Sequence, residues 1–124
     1  AADRFVRASF YINAVPKTAD PLEAVAVVLG VVRNASVPYG ITTPDEPNIS
    51  STRWRTAIDH TALRYFFESA LSPSTFWVDL KNLDVSEGAP TLRLALGENQ
   101  ATVYSGEVSA QFEKVAPFTF LGVA

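Results

Sequence analysis

The segment ADRFVRASFY, residues 2–11, sets Arg4 and Arg7 three apart within a run of Phe5, Val6, Ala8, Phe10 and Tyr11. On a helix the two would project about 60° apart. A guanidinium can run past apolar neighbours to reach water. One that stays buried has to be paired, because an unpaired buried charge is too costly to keep. Two readings therefore stand for this pair: surface cations, or a cation that binds an anion. Arg53 and Arg55 lie on one face of TRWRTAI, with Arg64 on the segment that follows. An exposed sheet face with Glu68 and Asp79 as counter-charges is the expectation, and an anion site is the alternative. Asp59–His60 has the composition of a dyad, but its place in a predicted turn makes turn chemistry the simpler reading. Asp45 and Glu46 are adjacent carboxylates in a proline-rich loop, where nothing fixes the geometry that acid–base catalysis needs. Asn34-Ala35-Ser36 and Asn48-Ile49-Ser50 match the short glycosylation pattern. No Ser-His-Asp spacing, glycine-rich phosphate loop or metal motif is present.

Composition narrows the field. The 124 residues include no cysteine, no methionine and a single histidine, His60. Disulfides, thiolate or histidine metal clusters and a cysteine nucleophile are thus excluded within this chain, and no cofactor is implied. A net charge of −3 argues against a nucleic-acid partner, since phosphate binding needs a basic surface. The longest apolar run, AVAVVLGVV at residues 24–32, is the size of a core helix and far below the ~18 residues that span a membrane. With 48% apolar and 19% charged residues, positions 1–124 are expected to form one globular segment. That segment opens at Ala1 without a signal-peptide pattern. It fits a piece of a larger polypeptide at least as well as a whole protein.

The elements that must position these groups follow from the patterning. Asp3 is a candidate cap for a helix to about Asn13, with Phe5, Ala8 and Ile12 on one face; a strand is the competing reading. Asp20, Pro21 and Glu23 form a capping-box signature. The helix they open, ending at Asn34, is apolar on nearly all sides and is expected to be buried between layers. Residues 36–50, SVPYGITTPDEPNIS, read as a long ordered loop. Alternation then predicts a hairpin. Thr52, Trp54, Thr56 and Ile58 share one face, and a DHT turn leads into Leu63, Tyr65 and Phe67 alternating with Arg64, Phe66 and Glu68. TFWVDL (75–80) and TLRLAL (91–96) are expected as third and fourth strands, with a further short strand or helix between 103 and 120. The aromatics Trp54, Tyr65, Phe66, Phe67, Phe76 and Trp77 are read first as core and cross-strand pairs. Two helices followed by an antiparallel meander give an α+β fold with helices on one face of a sheet.

Beyond these patterns, DRFVRASFYINAVPKTADPLEAVAVVLGVVRNASVPYGI (3–41) resembles the later part of choloylglycine hydrolases, the group of bile salt hydrolases and penicillin V acylases. There an S-x-x-R-F-x-R-like stretch leads into a helix pair and N-x-S-V-P-x-G. TRWRTAIDHTALRYFFES (52–69) and FWVDLKNLDVSEG (76–88) resemble the strands that follow, in the same order. TPDEPNISSTRWRT and VYSGEVSAQFEKVAPF resemble the Gram-negative branch.

The resemblance implies part of a four-layer αββα N-terminal nucleophile hydrolase fold. It implies cleavage of the amide of an acylated small molecule, with penicillin V or an N-acyl homoserine lactone ahead of conjugated bile salts. The nucleophile in that family is a processed N-terminal cysteine whose own α-amine is the base. Here it would have to come from an N-terminal portion of the same enzyme, so this chain alone should hydrolyse nothing. The first arginine of R-F-x-R is Arg4, whose implied role is electrostatic, beside the sulfur; Arg7 has no implied role. The family's early Arg and Asp and its middle Asn have no counterpart in these residues, and the substrate-binding residues are not assigned. A homo-oligomer, a tetramer by resemblance, is implied. So is a periplasmic location, with the cytoplasm as alternative. The competing function is a non-catalytic α+β module that binds a partner through an exposed edge and aromatic face.

Overall fold

A computed structural model describes residues 2–47, 49–97 and 103–119. Two helices, α1 (Ala2–Ala14) and α2 (Pro21–Asn34), precede β1 (Trp54–Asp59), β2 (Arg64–Ser69), β3 (Thr75–Asp79), β4 (Leu92–Arg93), β5 (Gly106–Glu107) and β6 (Glu113–Lys114). The α+β expectation holds. In α1, Asp3 does not cap the helix. It lies inside the first turn and pairs with Arg7 one turn on, at 2.9 Å. The cap of α2 is as expected: one Asp20 carboxylate oxygen accepts from the amides of Leu22 and Glu23, both at 2.8 Å. The second half of the box is rerouted. Glu23 accepts from the Thr18 hydroxyl at 2.5 Å, and that hydroxyl accepts from the Asp20 amide at 3.1 Å.

Phe5, Ala8 and Ile12 share a face of α1, as their spacing predicts, and line a groove against Val28, Val31 and Val32 of α2. The other side of α2 meets the sheet, where Leu29 packs with Ala57 and Phe66, flanked by Val25, Val28 and Trp77. Burial of α2 is less complete than its composition suggests. Leu29 and Val31 are buried while Leu22, Ala26 and Gly30 are exposed, because α1 and the sheet cover only two flanks.

β1, β2 and β3 are antiparallel neighbours whose register sets Arg55, Glu68 and Thr75 side by side, then Ala57, Phe66 and Trp77, on the face toward α2. Thr56, Phe67 and Phe76, then Ile58, Tyr65 and Val78, take the opposite face. The hairpin turn is fixed by Asp59, whose carboxylate accepts from the amides of Thr61 and Ala62 at 2.9 Å. The expected fourth meander strand is corrected. The outer edge of β3 is taken by β5, which runs parallel to it, while only Leu92–Arg93 of TLRLAL is extended and pairs with β6 in a separate two-stranded sheet. Gly106 makes this route possible with φ of +77°, a backbone state open to glycine at little cost. Leu94 and Phe112, beside the small sheet, then pack over Phe76, Val78 and Val108 on the face of the main sheet away from α2.

One polar cluster ties these layers together. Glu68 is only 4% exposed. Its carboxylate accepts from both Nε and a terminal nitrogen of Arg33 at the end of α2, and from the Thr75 hydroxyl at 2.5 Å; Arg55 stands 3.5 Å away. Burial is the largest single influence on this carboxyl and acts to raise its pKa. The hydrogen bonds from Arg33 and Thr75 and the charges of Arg33 and Arg55 together outweigh burial and hold it below the usual range.

Two stability predictions follow from these contacts. Asp20→Ala should cost about 1 kcal/mol in urea unfolding, the usual scale for a lost N-cap. Glu68→Ala should cost more, about 2 kcal/mol or above, because it leaves Arg33 and Arg55 without their anion. The pH dependence has a fixed sign. A carboxyl with a depressed folded pKa stabilises above its unfolded value, ordinarily 4.5, and loses that contribution as pH falls through the lower folded value. The stability gap between the wild type and Glu68→Gln should therefore be flat near neutrality and shrink below pH 4.5. A gap that widens on acidification would contradict this assignment.

Candidate functional site

The two arginines of the opening segment have different surroundings. Arg7 is committed to structure. One terminal nitrogen donates to the Asn34 carbonyl at 2.9 Å and the other pairs with Asp3, while its Nε is buried without a partner among the described residues. It thereby ties α1 to the carbonyl end of α2, where the helix carries its partial negative charge.

Arg4, one turn earlier and half-buried, makes a single hydrogen bond among the described residues, to the Ser50 carbonyl at 3.2 Å. No carboxylate pairs with it among those residues. A carbonyl orients a guanidinium without neutralising it, so the remaining N–H groups and the full charge stay available to an anion.

Ser50 is carried by the proline-rich loop that follows α2. Ser36 anchors the outgoing chain: its hydroxyl donates to the Val32 carbonyl and accepts from Arg55 Nε, both at 2.9 Å. The loop then closes on itself at Val37 and Thr52. The Thr52 amide donates to the Val37 carbonyl and the Val37 amide donates to the Thr52 hydroxyl, each at 3.0 Å. Nothing in the spacing of residues 36–52 announces this neck; the only sequence signal is the density of proline, which marks an ordered loop without saying what it touches.

The remaining candidates resolve to structural roles. Arg55 faces Glu68, Arg64 Nε lies 3.4 Å from an Asp79 carboxylate oxygen, and Arg53 stacks over the Tyr39 ring at 5.5 Å. The three arginines therefore do not converge on one anion site. The expected counter-charges pair with Arg55 and Arg64, but the expected exposed face is corrected, because α2 packs on it and buries Glu68. His60 is exposed in the turn, and its neighbour Asp59 is occupied with the amides of Thr61 and Ala62. Asp45 and Glu46 are exposed loop residues. Of the two glycosylation patterns, Asn34 ends α2 and Asn48 lies outside the described residues. Among the described residues no cluster of three or more His, Cys, Asp or Glu could hold a metal, and no helix is long and apolar enough to cross a membrane.

The aromatics split as well. Phe66 and Trp77 pair at 5.6 Å, Phe67 and Phe76 at 5.3 Å, and Phe76 meets Tyr104 edge-on at 5.7 Å. Trp54 and Tyr65 remain exposed on the outer face. A cleft of 230 Å³ between Tyr39, Trp54, Phe67, Phe76 and Tyr104 opens at this end of the sheet. A second, of 450 Å³, lies between the start of α2 and the β1–β2 turn.

Known proteins share this arrangement. The chain is 50% identical to a penicillin V acylase of Pectobacterium atrosepticum over 136 aligned positions, covering 99% of this chain and 36% of that protein. The solved structure of penicillin V acylase from Agrobacterium tumefaciens superposes with a TM-score of 0.88 at 58% identity, over 99% of this chain and 39% of that one. The chain thus spans a little over a third of the length of the relatives it matches. The sequence profile of linear amide C–N hydrolases, choloylglycine hydrolase family, matches residues 1–92 and so takes in both helices, the loop that holds Arg4, and the first three strands. With sequence, fold order and profile in agreement, the chain belongs to the choloylglycine hydrolase family of linear amide C–N hydrolases.

Proposed function

We propose that residues 1–124 form the C-terminal part of an amide hydrolase whose nucleophile is a processed N-terminal cysteine on the preceding part of the same polypeptide, and that Arg4 is its catalytic cation. The observation that carries this reading is the state of Arg4: half-buried, oriented by a carbonyl, and without an anionic partner among the described residues, while Arg7, Arg33, Arg55 and Arg64 each face a carboxylate. A cation kept this way is available to a thiolate. The absence of cysteine from the chain requires that the thiolate come from elsewhere in the enzyme.

In the proposed reaction the cysteine α-amine takes the thiol proton and the thiolate adds to the substrate amide carbonyl. The C–N bond breaks as the amine leaves with that proton, and a thioester acyl-enzyme remains. Water then adds to the thioester, releasing the carboxylic acid and restoring the thiol. Arg4 acts by electrostatics, favouring thiolate over thiol and the negative charge that builds during attack.

The identity to penicillin V acylases supports penicillin V as the first substrate to test, ahead of N-acyl homoserine lactones and conjugated bile salts. A tetrameric assembly and a periplasmic location complete the proposal.

The test uses the full-length enzyme and penicillin V hydrolysis. Arg4→Ala should lower kcat/KM by more than ~100-fold, the scale of losing one preorganised electrostatic partner. Arg7→Ala should instead act on folding, costing about 1 kcal/mol in thermal or urea unfolding as its hydrogen bond to Asn34 is lost. Equal and modest activity losses for both variants would overturn the assignment, as would a full-length protein with no N-terminal cysteine.

A further inference from the structure

We infer that Thr52 is a positioning residue for the reaction, acting through the Ser50 carbonyl on Arg4; the inference rests on the role proposed for Arg4 above. Arg4 and Ser50 are 46 residues apart in sequence and meet only because the loop between α2 and β1 returns to the first turn of α1. The loop is exposed along most of its described length, so packing does little to fix it. What fixes it is its neck. Ser36 is pinned to α2 and to Arg55, and Val37 and Thr52 then close the loop with two hydrogen bonds.

One of those two bonds is an ordinary backbone bond, donated by the amide of residue 52 to the Val37 carbonyl, that any residue but proline would make there. The other requires a side-chain acceptor at position 52, because the Val37 amide donates to the hydroxyl of Thr52 rather than to a backbone carbonyl. Removing that hydroxyl leaves a half-buried amide without its acceptor and the neck with one bond. Ser50 lies two residues from this point. A rotation of the neck is therefore delivered to the carbonyl that aims Arg4, whose position matters on the scale of an ångström. Within the loop, Thr43 and Glu46 exchange backbone hydrogen bonds at 3.2 Å, and Pro44 and Pro47 restrict the segment. These restraints stiffen the loop beyond Ser50, and on the other side only Ser51 separates Ser50 from Thr52.

The test is penicillin V hydrolysis by the full-length enzyme carrying Thr52→Val, Thr52→Ser or Pro47→Gly. Thr52→Val should lower kcat about tenfold with KM within about twofold, because orientation of the catalytic cation is lost and substrate contacts are not. Thr52→Ser, which keeps the acceptor, should restore the wild-type kcat. Pro47→Gly leaves the neck intact and loosens the loop, so it should lower kcat in the same sense even if Thr52→Val does not fold. In an Arg4→Ala background Thr52→Val should have no further effect, since the two act as one unit. The inference is overturned if Arg4→Ala abolishes activity while a folded Thr52→Val keeps the wild-type kcat, or, where Thr52→Val does not fold, while Pro47→Gly keeps it. It is equally overturned if Thr52→Val and Arg4→Ala losses multiply independently. If Arg4→Ala itself has no effect, the catalytic role of Arg4 fails and the inference goes with it.

Discussion

A single buried carboxylate organises this structure. Glu68 sits on β2, between β1 and β3 and near the end of the hairpin away from its turn, on the face toward α2, where water cannot solvate it. An ionised carboxylate there is stable only with partners, and each partner comes from a different element: Arg33 from the end of α2, Arg55 from β1 and Thr75 from β3. Satisfying one charge therefore fixes the C-terminal end of the helix against three strands at once. Arg33 is held more firmly protonated in return, chiefly by its hydrogen bond to Glu68. The apolar contacts of Leu29 with Ala57 and Phe66 supply burial without direction, whereas the carboxylate supplies direction.

Once the end of α2 is fixed, the neighbouring features follow from it. The Asn34 carbonyl is where Arg7 docks α1, so the angle of the first helix is referred to the same point. Ser36, two residues on, starts the loop from the same anchor through Arg55, which also faces Glu68. The meeting of Arg4 with the Ser50 carbonyl is thus the sum of two paths, one through α1 and one through the loop, that share a common origin. This is how a charge on an exposed helix can be held in place although α1 has no buried residue of its own.

The outer surfaces carry a second message. Phe5 and Phe10 on α1 are 75% and 66% exposed, and Trp54 and Ile58 on the outer face of β1 are 61% and 57% exposed. Two separate faces with large apolar side chains are more than scattered surface residues require. They accord with the proposal that these residues belong to a larger enzyme.

Local chemistry was legible in the sequence wherever a feature depended on neighbours in the chain. Asp20, Pro21 and Glu23 announced the start of α2, and alternation from Thr52 to Glu68 announced the hairpin and both of its faces. The R-F-x-R stretch with N-x-S-V-P-x-G led to the family. What the chain order did not determine were choices between partners distant in sequence. TLRLAL has the alternation of a strand, yet β5 occupies the edge of β3, because edge pairing is decided by which segment reaches it and Gly106 supplies the bend. Glu23 has the spacing of a capping box, yet it bonds Thr18, a competitor at hand just before the helix. Arg4 and Arg7 are the same residue type in the same helix, three apart, and the local difference between them is Asp3, one turn before Arg7 and paired with it. The tertiary structure adds the rest, by bringing Asn34 to Arg7 and Ser50 to Arg4 from 27 and 46 residues away, because a guanidinium's role is set by all the groups that reach it.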